Sequence, residues 1–207
     1  MIIGIDGAST ALSVALAEPG GTLIDEVAWT AAQRQSAELL PRLLDLMQRN
    51  ACGWDRVSAF AVGTGPGSFT GLRVAMALAK GLAVALERPI VGVPSLEAWL
   101  EAQAEAVAAV ARAGAREAYV LTRGASAPVI VDRDALPDVI VVAPAELAAA
   151  FGLADARQPR GAGVMARRAA SQLARHPSGD DVRALEPIYL RAPRGVTTTS
   201  EALVKWL

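Results

Sequence analysis

The chain is poor in the residues on which most enzyme sites draw. It has 207 residues but one histidine, His176, and one cysteine, Cys52. A histidine-rich metal site cannot be assembled from that pair. A single thiol leaves no intrachain disulfide and fits a reducing compartment. A Ser-His-Asp relay would have to run through His176, which sits in Arg175-His176-Pro177-Ser178-Gly179 and reads as a solvated loop residue. Aromatics make up 4%, so the 53% apolar content is mostly Ala, Val and Leu, a composition suited to tight helix packing and buried strands. The net charge of −1 gives no one-signed field to draw nucleic acid or a membrane surface. The longest apolar helix candidate, near 69–86, is interrupted by Arg73 and Lys80, so no membrane span is expected. Met1-Ile2-Ile3-Gly4-Ile5-Asp6 has no basic leader region. A cytoplasmic protein without metal or cofactor is the expectation.

The length suits one compact unit or two small lobes. Strands are expected at Ile2–Asp6, Ala11–Ala17 and Leu23–Trp29, with Pro19-Gly20-Gly21 as a turn. The period then changes: Leu39, Leu40, Leu43, Leu44, Leu46 and Met47 recur at helical spacing to about Arg49, with Pro41 in the first turn or at a kink. A strand over Val57–Val62, a helix over 68–86, a strand over Ile90–Val93 and a helix that Ser95 can cap, running towards 113, follow. The order β-β-β-α-β-α-β-α is the repeating unit of the actin, sugar-kinase and Hsp70 superfamily, normally present twice. The second half is less regular, with strands expected at Ala118–Thr122, Pro128–Val131 and Val139–Val142, and helices at Leu147–Phe151 and Met165–Arg175. The expected class is thus α/β, an actin-like (Hsp70-like, ASKHA) two-lobed fold. Its first lobe is complete at 1–100, its second reduced at 101–192, and a tail occupies 193–207.

The densest chemical signal is Gly63-Thr64-Gly65-Pro66-Gly67-Ser68-Phe69-Thr70-Gly71-Leu72-Arg73, where a buried strand runs into glycines and a helix opens. Ser68 can cap that helix, and the glycines let backbone N–H groups approach an anion. No Gly-Lys-Ser/Thr follows, and Ser68 stands where a dinucleotide fingerprint needs its third glycine. A tight strand-to-helix turn against a neighbour is the competing reading. Within the helix, Gly71, Ala75, Ala79 and Ala83 form a small-residue ladder, while Leu72, Met76 and Leu86 make its other side apolar too. A helix apolar on both sides needs cover on both, from its own sheet and from a second helix of this chain or of a partner. Asp6, at the end of the first strand, is either a metal-phosphate carboxylate or a turn aspartate bonding its own loop. Arg157, Arg160, Arg167, Arg168 and Arg175 could meet RNA phosphate, but without interleaved aromatics they read as a solvated face.

These residues resemble the TsaB (YeaZ) family. The 63–73 stretch looks like its signature. Ile5-Asp6 with Ser9-Thr10, Arg34-Gln35-Ser36 running into Leu39-Leu40-Pro41, Gly92-Val93-Pro94-Ser95-Leu96-Glu97-Ala98 and Pro187-Ile188-Tyr189-Leu190-Arg191 follow in the family's order. The likeness is dense over 1–100 and thin beyond, apart from that last motif. It implies a non-catalytic scaffold for a TsaD-type catalytic subunit in tRNA N6-threonylcarbamoyladenosine (t6A) modification. A TsaE-type ATPase would join the complex, tRNA would be met only indirectly, and homodimers are possible when the chain is alone. The label M22 glycoprotease attaches to such chains by sequence alone. The catalytic relatives carry two histidines four residues apart after the strand matching Ile90–Val93, and those places fall on Ser95 and Trp99. An enzyme of the same superfamily, either a small-molecule kinase or an M22-type peptidase, is the alternative. The expected partner interface is Ser36, Leu39, Leu40, Leu43 and Met47 with Gly71, Leu72, Ala75, Met76, Ala79 and Ala83. The expected signature loop is Gly63, Gly65, Pro66, Gly67 and Ser68.

Overall fold

The computed structural model describes residues 1–31 and 34–190; Arg191 of the C-terminal motif and the tail at 193–207 lie outside the described residues. The elements in chain order are β1 (Ile2–Asp6), β2 (Ala11–Ala17), β3 (Leu23–Thr30), α1 (Gln35–Arg49), β4 (Ala59–Gly63), α2 (Phe69–Ala85), β5 (Ile90–Val93) and α3 (Ser95–Ala102). Then come β6 (Ala108–Arg112), β7 (Glu117–Thr122), β8 (Val129–Asp132), β9 (Val141–Val142), α4 (Ala145–Phe151), β10 (Ala156–Arg157) and α5 (Ala162–Leu173). They build a mixed α/β fold with two five-stranded sheets, ordered β3-β2-β1-β4-β5 and β10-β9-β6-β7-β8.

The first sheet is covered on both faces, which is why β1, β2 and β4 are buried at every position rather than at alternate ones. β1 pairs antiparallel with β2 and parallel with β4, so Ile2 faces both Ala17 and Ala59 across the ladder. Ile3, Ile5, Leu12, Val14, Leu16, Phe60 and Val62 point to one side and pack with Leu39, Leu43, Leu46 and Met47 of α1 and Ala75, Met76, Ala79 and Ala83 of α2. Ile2, Ala17, Ala59, Ala61, Val91 and Val93 point to the other, against Val164, Met165, Ala166 and Ala169 of α5. Gly4 sits under α5, where a Cβ would meet the Ala162 carbonyl oxygen at 2.1 Å, so only glycine allows this approach. The second sheet has α3 on one face, through Leu96, Trp99 and Leu100, and α4 on the other, through Leu147 and Phe151.

Two expectations needed correction. The helix from residue 95 stops at Ala102, and Ala108–Arg112 is the central strand β6 rather than helix. Alanine-rich Ala108-Ala109-Val110-Ala111 has helical composition, but burial on both faces of a sheet overrides that propensity. Ser95 does not cap α3: Pro94 occupies the cap position without a side-chain bond, and the Ser95 hydroxyl is committed elsewhere.

Candidate functional site

The signature loop is built on its own chain. After β4, Gly65 takes φ +90°, the left-handed region that favours glycine. The Ser68 backbone N–H donates to the Ala8 carbonyl at 2.6 Å. A Cβ on Gly67 would meet that carbonyl at 2.0 Å, and one on Gly71 would meet the Gly7 carbonyl at 2.2 Å. The glycines thus let the loop and the first turn of α2 lie directly on the β1–β2 turn. Ser68 caps α2 as its sequence position predicts, its hydroxyl accepting from Gly71 N–H at 3.2 Å. Gly67→Ala is expected to cost about 1–3 kcal/mol of stability through backbone displacement, measurable as a lowered urea midpoint with unchanged slope.

Asp6 lies beneath the loop, 1% exposed. One carboxylate oxygen accepts from Ala8 N–H and from the Ser95 hydroxyl, each at 3.1 Å, and the other accepts from the Trp99 indole N–H. Ser95 in turn accepts from Gly65 N–H at 3.1 Å, so it links the loop to the carboxylate. Ser95 and Trp99, the two places where the resemblance puts the catalytic relatives' histidines, are therefore both donors to Asp6. Burial pushes the Asp6 carboxyl above its ordinary value, against the pull of Trp99, Ala8 N–H and Ser95. Gly161 and Gly63 close the rest of the space, since a Cβ on either would stand 2.9 Å or less from an Asp6 oxygen. Donors of the chain itself occupy both carboxylate oxygens, Ala8 N–H in the following turn among them, as the turn reading expects. Among the described residues, no cluster of three or more His, Cys, Asp or Glu could hold a metal ion.

The helix ladder faces inward. Gly71, Leu72, Ala75, Met76, Ala79 and Ala83 are all buried, as are Leu39, Leu43 and Met47 of α1. Of the residues expected at a partner interface, only Ser36 and Leu40 are exposed. The sheet takes the small side chains because Ala75 and Ala79 let α2 lie close over β1 and β4. The outer side of α2 is a second ladder, two residues out of phase: Ala77, Gly81 and Ala85 are exposed, flanked by Val84 at 62% exposure and half-buried Val74 and Leu78. α1 lies alongside and adds Leu40 and Leu44, at 37% and 43% exposure. The sequence carries this ladder as plainly as the first, in the i, i+4 spacing of 77, 81 and 85.

A cleft of about 580 Å³ opens between the sheets, walled by the signature loop at Gly67 and Ser68, by Phe69 and Tyr189, and by the β6–β7 turn at Arg112–Ala115. The Thr10 hydroxyl donates to Glu146 across its mouth. Of the five arginines considered for RNA, Arg167 and Arg168 pair with Glu101 and Arg168 also with Glu97, while Arg157 pairs with Glu105. The Arg167 and Arg168 pairs tie α5 to α3, and the charges of these three arginines are met by Glu97, Glu101 and Glu105. No helix among the described residues is long and apolar enough to cross a membrane.

The family model described as "TsaD: tRNA N6-adenosine threonylcarbamoyltransferase" matches residues 22–188. The chain belongs to this family, in its TsaB (YeaZ) branch. It is 35% identical to the Haemophilus influenzae protein named tRNA threonylcarbamoyladenosine biosynthesis protein TsaB, over 57% of this chain and 51% of that one. The chain thus spans about half the length of that curated relative. An uncharacterized Mycobacterium tuberculosis protein is 31% identical across 93% of this chain and 92% of its own length. A Pseudomonas aeruginosa crystal structure described as similar to peptidase YeaZ shares the fold, with a TM-score of 0.71 at 24% identity, covering 92% of this chain and 99% of that one.

Proposed function

We propose that the chain is a non-catalytic subunit of the machinery that places threonylcarbamoyl on tRNA adenosine, and that it docks a TsaD-type catalytic partner through the outer faces of α1 and α2. The observation that carries this is the outer ladder of α2. A helix with apolar residues on both sides leaves Ala77, Gly81, Val84 and Ala85 uncovered beside Leu40 and Leu44, and small residues suit the close approach of another helix. The names of the TsaB relatives and of the matching family support the t6A assignment. The absence of catalysis is supported by Asp6, whose donors Ser95 and Trp99 stand where the resemblance puts the catalytic relatives' two histidines. In this reading the two sheets are the halves of an actin-like fold divided near residue 100. α5 returns to complete the first half, and a TsaE-type ATPase joins the assembled pair.

The test is co-expression with the TsaD-type subunit of the same genome, followed by size exclusion with light scattering. A stoichiometric heterodimer, formed at the expense of any homodimer, is the expected result. A chain that stays apart from that subunit, or that alone hydrolyses ATP with turnover lost in Asp6→Asn, would overturn the reading.

A further inference from the structure

The outer face of α2 ends at an arginine that the fold holds ready for use. Arg73 stands one turn before Ala77 on the exposed side, with its guanidinium carbon 3.8 Å from the centre of the Phe69 ring. Its Nε donates to the Tyr189 hydroxyl at 3.1 Å, and the Phe69 and Tyr189 rings lie 5.7 Å apart. Tyr189 is itself fixed from below. Residues 176–190 cross the β5 edge of the first sheet, where Asp180 N–H donates to the Ile90 carbonyl at 2.8 Å and the Asp180 carboxylate accepts from Gly92 N–H at 2.7 Å. Lys80 donates to the Leu185 carbonyl at 2.7 Å, and Ile188 N–H donates to the Thr64 carbonyl at 2.8 Å. The strap therefore delivers Tyr189 to Arg73 from a distant part of the chain.

This matters because a guanidinium has five N–H donors in a rigid fork. With Nε taken by Tyr189, the end-on pair Nη1 and Nη2 is left to grip an acceptor, and among the described residues neither makes a hydrogen bond. One face of the cation is dried by Phe69, which strengthens its pairing with an anion. Arg167 and Arg168, by contrast, already sit on glutamates. The exposed Phe69 and Tyr189, at 44% and 37%, complete a patch continuous with the Ala77–Gly81–Ala85 ladder.

We infer that Arg73 is the anion-reading end of the partner face, and that it takes an Asp or Glu carboxylate from a helix of the TsaD-type partner lying along α2. The inference rests on the proposed reading of α2 as a partner face. A carboxylate on a helix fits better than a nucleic-acid phosphate because, beyond the two rings, the exposed surface of α2 runs on from Arg73 as small residues, Ala77, Gly81 and Ala85, on which a helix can lie.

The experiment compares dissociation constants for the TsaD-type subunit, with tRNA binding measured in parallel. Arg73→Ala is expected to weaken partner binding about tenfold to a hundredfold, the range for a charged hydrogen-bond pair. Arg73→Lys keeps the charge but not the fork and should recover only part of the loss. Tyr189→Phe removes the anchor of Nε and should weaken binding less than Arg73→Ala. The slope of affinity against ionic strength should flatten in Arg73→Ala. Ala77→Trp serves as the control on the helix face. If Ala77→Trp weakens binding while Arg73→Ala does not, the arginine assignment is wrong and the partner face stands. If neither has any effect, the partner face itself is wrong. If Arg73→Ala lowers tRNA affinity and spares the partner, the guanidinium reads phosphate and the inference is overturned.

Discussion

Asp6→Ala is expected to lower the unfolding free energy by about 3–5 kcal/mol, a large share of what a domain of this size has. The Ser95 hydroxyl, the Trp99 indole N–H and Ala8 N–H all donate to this one carboxylate in a site closed to water. Removing the acceptor leaves buried donors unpaired at about 1–3 kcal/mol each, and the missing atoms add a void. Asp6→Asn keeps the volume but turns an NH2 towards one of the donors, so it should cost less than alanine. Urea unfolding of both variants, followed by far-UV circular dichroism, measures the difference. An Asp6→Ala protein as stable as wild type would mean that this carboxylate is not the junction of the signature loop with α3.

The same aspartate sets a pH dependence with a definite sign. Burial holds the folded carboxyl above its ordinary value of 3.8, so the folded state binds the proton more tightly than the unfolded chain does. Its contribution to stability therefore falls as pH rises from 3.8 and levels off once the folded group has ionised. The stability of wild type relative to Asp6→Asn should drop over that interval. A salt-bridged aspartate would give the opposite slope.

Much of this architecture is legible in the sequence because local pattern and tertiary placement agree. β1, β2, β3, α1 and α2 fall close to where apolar period, turn residues and the Ser68 cap place them. Where they disagree, burial decides. Ala108–Arg112 has the composition of a helix and becomes a central strand, because its neighbours β7 and β9 supply a ladder on both sides. The direction of α2 was not legible for a different reason. With ladders at Gly71–Ala83 and at Ala77–Ala85, the helix period fixes two apolar sides but not which of them meets the sheet. The Asp6 cluster and the Arg73–Tyr189 contact were out of reach of spacing arguments, since they join residues 93 and 116 positions apart. Their one sequence trace is that Asp6, Ser95, Arg73 and Tyr189 lie in the family-like motifs, with Trp99 one residue past the motif that holds Ser95.

Substitutions on the two sides of α2 should separate folding from association. Gly81→Arg is expected to weaken association with the TsaD-type subunit by at least about 3 kcal/mol, more than a hundredfold, while leaving the isolated chain as stable as before or more so. A Cβ at Gly81 would meet nothing within 4 Å, so the monomer accommodates a side chain there. Glycine in mid-helix is also about 1 kcal/mol worse than a good helix former, which arginine is. In the proposed complex, the same side chain would stand where the partner helix lies against the ladder, adding both bulk and an unpaired buried charge. Ala79→Arg, two residues away, should do the reverse. Ala79 is 0% exposed, in the core between α2 and the first sheet, so a guanidinium there has no route to water and the chain itself should fail to fold. Thermal unfolding of each variant alone, together with its dissociation constant for the partner, decides the matter. A Gly81→Arg protein that is folded and still binds at full affinity would place the docking surface away from this face of α2.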